Sequence, residues 1–320
     1  MKCVLYFPGV EEAQIRTKKL ASRFKNTQFS LPRSRTQLLT EVENAEVLFT
    51  GMADDELLSR AEKLEWFHCA AAGIDYVIDI MRRHQKVLFT SSRGVCEGQI
   101  SEWVVAMALY LLKNIKQFQH SCDNKKLDDP MAGLAQEELA GKTVCVVGLG
   151  RIGKMTAEKF HALGCRVWGI KRAPEELPYV SRVGTLKDMD AFFSQSDIIT
   201  VHLALTEETK GCIDRKAINS MRRNAIFINT ARGALVDEGA LIERLKKGEI
   251  KAALDVVVDE PIKEGSPLLS IPNLLLTPHL SGFSNRYFEK LFALFSKNLE
   301  AYLRKSVGEM INLIDLSIGY

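Results

Sequence analysis

Apolar positions along the chain fall into short runs of strand length, separated by segments whose apolar positions recur at three- and four-residue steps. Residues 2–7 (KCVLYF), 46–49 (EVLF), 66–69 (WFHC) and 87–90 (VLFT) form a first series, with an amphipathic helix predicted over 11–25. A second series opens at 143–147 (TVCVV). It runs on through 166–170 (RVWGI), 197–202 (DIITVH), 225–229 (AIFIN), 252–256 (AALDV) and 274–277 (LLLT). Helices are predicted over 151–163, 237–247 and 284–304, with Asp237 as N-cap of the second and Gly248 as its stop. Such alternation builds βαβ units and parallel sheets. Between the two series, 100–118 (ISEWVVAMALYLLKNIKQF) reads as one long helix, apolar over most of its surface and therefore buried, at a domain or subunit interface. Residues 121–139 are polar and read as irregular, and no internal repeat is visible.

Composition narrows the class. A chain of 320 residues, 46% hydrophobic and 26% charged, matches a globular protein of one to three domains. The net charge of +3 comes from 43 Lys and Arg against 40 Asp and Glu, and the basic clusters are only pairs such as Lys125-Lys126. Neither a nucleic-acid nor a membrane partner is expected from so scattered a charge. The seven cysteines are odd in number and none has C-x-x-C spacing, which fits a reducing compartment, and no metal is expected. The apolar run at the N-terminus is short for a signal peptide and no stretch reaches the ~20 apolar residues of a membrane helix. A cytoplasmic location is the expectation.

Candidate chemistry begins where the second series does. Residues 143–153 read TVCVVGLGRIG, placing Gly148, Gly150 and Gly153 as G-x-G-x-x-G directly after a strand and at the start of a helix. In that context the first glycine makes the tight turn, the second lets the backbone approach a pyrophosphate, and the third lets helix and strand pack closely. Arg151 and Ile152 complete the loop, whose helix N-terminus favours anionic phosphate. The next strand ends in Lys171-Arg172 where an NAD-binding chain of this type carries Asp or Glu. A cation bonded to a 2′-phosphate contributes ~1.5–3 kcal/mol, so NADP(H) is favoured over NAD(H).

Three further motifs follow in order: INTARG at 228–233, LDVVVDEP at 254–261 and TPH at 277–279. Together with the glycine loop they resemble the D-isomer-specific 2-hydroxyacid dehydrogenase family over nearly the whole chain. The resemblance implies an α/β protein with two doubly wound parallel-sheet domains. A Rossmann cofactor domain would span 100–284, and a discontinuous flavodoxin-like substrate domain 1–99 plus 285–320, with a closing cleft between them and a homodimer as the assembly. It makes Arg232, Glu260 and His279 catalytic, adds Thr230, Ala231 and Asp255 to the cofactor residues, and assigns Ala71, Ala72 and Gly73 to the substrate beside Arg232 and His279. Asp75 is expected to cap the next helix. Trp103 departs from the family pattern, a change that bears on the cleft wall or on a subunit contact and whose role the sequence leaves open.

The residue types suit the reaction implied. A planar guanidinium holds a carboxylate and polarises the neighbouring ketone. An imidazole supplies the proton that the reduced oxygen needs, and a carboxylate beside it fixes the tautomer. His68 and His202 lie inside strand-like runs, where structural roles are expected. The function implied is hydride transfer between NAD(P)H and a small 2-oxo or D-2-hydroxy acid, of glyoxylate or hydroxypyruvate type. The alternatives are a dinucleotide-sensing interaction protein of the same fold, or a dehydrogenase of a phosphorylated or inorganic substrate.

Overall fold

The computed structural model describes residues 1–123 and 136–317. The chain divides into two compact units, one made of Met1–Cys96 together with the segment from Phe283 onward, the other of Glu97–Gly282. Each is organised by its own all-parallel sheet.

In the first unit the strands are β1 (Lys2–Tyr6), β2 (Gln28–Ser30), β3 (Val47–Thr50), β4 (Trp66–Cys69) and β5 (Leu88–Ser91), in the order β2-β1-β3-β4-β5. That is a flavodoxin-like winding. Its helices are α1 (Glu11–Arg23), α2 (Arg35–Val42), α3 (Asp55–Arg60) and α4 (Ile78–Arg83). The second unit carries α5 (Glu97–Leu112), α6 (Ile115–Asp123), β6 (Thr143–Val147), α7 (Arg151–Ala162), β7 (Arg166–Ile170), β8 (Arg182–Gly184), α8 (Met189–Phe193), β9 (Ile198–Val201), α9 (Arg215–Ser220), β10 (Ile226–Asn229), α10 (Glu238–Lys246), β11 (Lys251–Leu254) and β12 (Leu274–Leu276). Its order, β12-β11-β10-β9-β6-β7-β8, is the Rossmann arrangement extended by one strand. A final helix, α11 (Tyr287–Leu303), returns the chain to the first unit.

Strands covered on both faces need no polar alternation, so the central ones are continuous apolar runs. Successive residues still feed different cores. Cys145 and Val147 of β6 join Ile199, Phe227 and Leu254 in one cluster, while Val144 and Val146 join Ile198, Ile228 and α5 in another. The first sheet divides in the same way, with Val4, Leu48 and Phe67 on one side and Leu5, Phe49 and Trp66 on the other.

The helix expected over 100–118 is two helices. Asn114, at φ 50°, interrupts it, because the short amide side chain tolerates the left-handed conformation. The Lys251 ammonium secures the break by donating to the Leu111 carbonyl (3.1 Å) and to Asn114 Oδ1 (3.0 Å), which supplies a cation to orphaned helix-end carbonyls. The segment 121–139, read as irregular, begins with the last turn of α6, and its residues 124–135 lie outside those described. Trp103, whose effect on the cleft wall or a subunit contact the sequence left open, is buried in the second unit's core with Val104, Ala108 and Phe160. Asp75, expected to cap the next helix, is not its N-cap: α4 starts at Ile78, and its N-cap position is Val77, without a side-chain cap.

The return of α11 is fixed by aromatic stacking. Phe295 lies parallel to Phe49 (4.3 Å between centroids, 12°) and to Trp66 (5.2 Å, 15°), with Leu291 and Leu299 fully buried beside it. We expect Phe295→Ala to cost roughly 3–5 kcal/mol, through lost burial and the cavity left behind. Chemical denaturation followed by near-UV circular dichroism measures this, and an unshifted midpoint would contradict the stacking role.

Candidate active site

The glycine loop is built by close approaches that leave no room for side chains. Gly148, at φ 100°, follows β6, and a Cβ there would stand 2.8 Å from the His202 carbonyl carbon at the end of β9. A Cβ on Gly153, inside α7, would stand 1.9 Å from the Gly148 oxygen. Helix and turn therefore touch backbone to backbone, which is why a glycine sits inside a helix where it otherwise costs ~1 kcal/mol. Gly150 differs: it is the N-cap of α7, without a side-chain cap, and nothing lies within 4 Å of where its Cβ would be. Arg151 is exposed and Ile152 half-buried. Uncapped first-turn N–H groups below open space form a cradle that fits a dinucleotide pyrophosphate.

Lys171 and Arg172 follow β7, as expected. The sequence reading did not foresee Glu175, whose carboxylate turns back to the Lys171 ammonium (2.7 Å) and to that of Lys154 (2.5 Å) on α7. Hydrogen bonds from Lys154 and then Lys171 hold its pKa down to about 2. Arg172 lies 3.9 Å from Glu208, both largely exposed. The cations at the strand end are thus partly neutralised, in an exposed setting where screening is strong.

Three adjacent parallel strands deliver the remaining residues. Thr230, Ala231 and Arg232 follow β10, Asp255 and Glu260 follow β11, and His279 follows β12. Asn229 braces the first turn, accepting from the Ala231 N–H (2.9 Å) and donating to the Arg232 carbonyl (2.9 Å). The next residue, Gly233, lies against the neighbouring segment: a Cβ there would meet the Val257 carbonyl carbon at 2.1 Å. Thr230 is buried and faces His202 Nδ1 at 3.5 Å.

Glu260 and His279 meet directly. Glu260 Oε2 is 2.8 Å from His279 Nδ1, and Oε1 accepts from the Val257 N–H at 3.1 Å. His279 sits at φ 52°, a left-handed conformation costing of order 1–3 kcal/mol in a non-glycine residue. Its N–H donates to the Asp255 carbonyl (2.9 Å), which helps hold the strained turn. The Asp255 carboxylate is buried in the same loop. Oδ1 accepts from Thr277 Oγ1 (2.6 Å) and the Leu280 N–H (2.9 Å), and Oδ2 from the Ser281 N–H (2.9 Å). Expected beside a cofactor, Asp255 is placed where it ties together the loop that carries His279.

Ala71, Ala72 and Gly73 follow β4 in the first unit, all half-buried, with the Ala71 carbonyl accepting from the Ser92 N–H at 3.0 Å. His68 is buried, and His202 is largely enclosed at the end of β9. His68 lies between Thr90 Oγ1 (2.7 Å) and Ser92 Oγ (3.2 Å), His202 beside Thr200 Oγ1 (2.9 Å), and burial pushes each imidazole down to about 3. Both stay neutral, as structural residues do.

A Rossmann sheet whose strand ends join a glycine cradle to an imidazole–carboxylate pair and an arginine suits a nucleotide-dependent oxidoreductase. A family model described as "D-isomer specific 2-hydroxyacid dehydrogenase, NAD binding domain" matches residues 105–281. Glyoxylate reductase of Thermofilum pendens is 31% identical over 87% of this chain and 84% of that protein. D-3-phosphoglycerate dehydrogenase of Methanocaldococcus jannaschii is 31% identical over 87% of this chain, which spans 53% of that longer protein. Among solved structures, a D-isomer specific 2-hydroxyacid dehydrogenase from Xanthobacter autotrophicus, in complex with NADPH and MES, aligns with a TM-score of 0.83 at 25% identity over 99% of each chain. The chain belongs to the D-isomer specific 2-hydroxyacid dehydrogenase family. It is an oxidoreductase acting on the CH–OH group of donors.

The packing of Gly233 gives a direct test. Gly233→Ala forces the Arg232 turn away from Val257, and misplacement by about 1 Å costs on the order of a hundredfold in turnover. Steady-state kinetics beside an unchanged far-UV spectrum would show it, and wild-type turnover would refute the packing argument.

Proposed function

We propose that the protein reduces a small 2-oxo acid of glyoxylate or hydroxypyruvate type to its D-2-hydroxy acid, with NADPH preferred. The observation that carries this reading is the Glu260–His279 contact on strand ends adjoining the Arg232 turn. Arg232 holds the substrate carboxylate and polarises the ketone. Glu260 engages Nδ1 of His279, which leaves Nε2 to donate a proton to the oxygen as the ketone is reduced. A bound nicotinamide supplies or takes up the hydride. Gly148, Gly150, Arg151, Ile152 and Gly153 hold its pyrophosphate, with Thr230 and Ala231 lining the same strand ends. Asp255 acts on the cofactor side through the loop it shapes. Ala71, Ala72 and Gly73 are assigned to the substrate carboxylate on the family resemblance. A homodimer and a cytoplasmic location complete the reading, and all seven cysteines are free, as a reducing compartment requires. Among the described residues no helix is long and apolar enough to cross a membrane.

A second reading has support from several relatives: the likeness to D-3-phosphoglycerate dehydrogenases favours a phosphorylated 2-oxo acid. Initial rates of NADPH and NADH oxidation over a panel of 2-oxo acids, with and without phosphate, separate the two. Preference for glyoxylate or hydroxypyruvate supports the first, and preference for a phosphorylated acid replaces it. Arg232→Ala and His279→Ala should each lower kcat/KM by about a hundredfold or more. Undiminished turnover in both would sink the assignment.

The preference for NADPH rests on Lys171 and Arg172, moderated by Glu175. We expect Lys171→Ala/Arg172→Ala to lower the NADPH-to-NADH ratio of kcat/KM about tenfold, and Glu175→Gln to raise it several-fold. A fall in the glutamine variant would show that Glu175 orients Lys171 rather than competing for it. With its pKa held near 2, Glu175 stays ionised at working pH, so its effect should be flat between about pH 5 and 8. The sign for stability follows: its ion pairs stabilise above the ordinary carboxylate value and are lost only as pH falls toward 2.

A further inference from the structure

The first unit has a cleft of about 310 Å³ at the C-terminal ends of β1 and β2, on the side of the sheet away from β4 and the Ala71–Gly73 segment. Its inner wall is Phe7, set edge-on against Phe49 (4.9 Å) and Phe288 (5.9 Å), with Phe29 and Leu31 beside it. The remaining wall is one face of α1, on which Gln14, Thr17, Lys18 and Ala21 recur at helical spacing. Ala21 keeps that wall low. Lys18 and Arg33 are the charged residues of the lining, and it contains no acid. Among the described residues neither cation has a carboxylate partner, whereas Arg16, Arg23 and Arg35 nearby are paired with Glu12, Glu300 and Asp54.

The shape and chemistry select a ligand class. Open α/β sheets take ligands beyond the carboxyl ends of their strands. A benzene ring fills a cavity of ~150 Å³, so this volume takes a ring with a short acid side chain. Bare phosphate suits it poorly. The first turn of α1 carries Glu11 and Glu12, and the N-terminus of α2 is already capped by Ser34. An apolar body on the aromatic wall, with its single negative charge between Lys18 and Arg33, satisfies both halves of the lining. We propose that this cleft is a binding site for a small aromatic carboxylate, separate from the catalytic residues.

Titration calorimetry of the full chain with 3-phenylpropionate, which has no 2-oxo group, tests the site. Saturable binding should weaken about tenfold or more in Lys18→Gln/Arg33→Gln, and likewise for uncharged 3-phenylpropanol on the wild type. Phe29→Ala should weaken it too, and Arg232→Ala should leave it intact. Both cations are exposed, so melting curves that match the wild type would show that the double variant folds. Four outcomes would overturn the proposal: no saturable binding, equal binding by a folded double variant, loss of binding in Arg232→Ala, or displacement of the probe by inorganic phosphate.

Discussion

The candidate site of the second unit hangs on one buried carboxylate. Asp255 is nearly inaccessible, and among the described residues no ion pair reaches it; its oxygens accept from a hydroxyl and two backbone N–H groups of the segment after β12. A buried polar group left without partners costs about 1–3 kcal/mol or more, so the loop favours the shape that supplies all three donors. That shape also turns His279 into its left-handed conformation and points Nδ1 at Glu260. Glu260 in turn is held through the Val257 N–H, and Val257 is the residue on which Gly233 rests. Arginine, glutamate and histidine are thus parts of one hydrogen-bonded and close-packed assembly.

Parallel topology makes this assembly possible. Residues far apart in sequence come together because β10, β11 and β12 are neighbours and all end at the same edge. The motifs at 228–233, 254–261 and 277–279 could therefore be read as a set before any geometry was known. The central strands were equally legible, since burial on both faces writes them as unbroken apolar runs. The edge strands β2 and β8 were not: three residues each, partly exposed, they carry no periodic signal. The break at Asn114 was hidden for a different reason. It depends on Lys251, a residue of another element, reaching the end of α5. Glu175 was missed likewise, because only the folded loop after β7 brings it back to Lys171.

That last contact changes how the coenzyme end of the molecule should be viewed. A strand end bearing Lys-Arg looks like an open anion receptor when read linearly. In the folded chain an internal carboxylate already stands among the cations. Any phosphate arriving there displaces or shares a partner, so discrimination between coenzymes is a difference between two ionic arrangements rather than the gain of one.

The stacking of Phe295 on Phe49 and Trp66 has a consequence for biosynthesis. The first ninety-six residues leave the ribosome early, yet the sheet face they form presents Phe49, Trp66 and Leu5 with their covering helix still untranslated. The second unit, continuous in sequence, has all its strands before α11 exists. Domains fold as units in the order their chain is complete. The second domain in sequence is therefore the first able to finish, and the amino-terminal one keeps an aromatic surface uncovered until α11 is made.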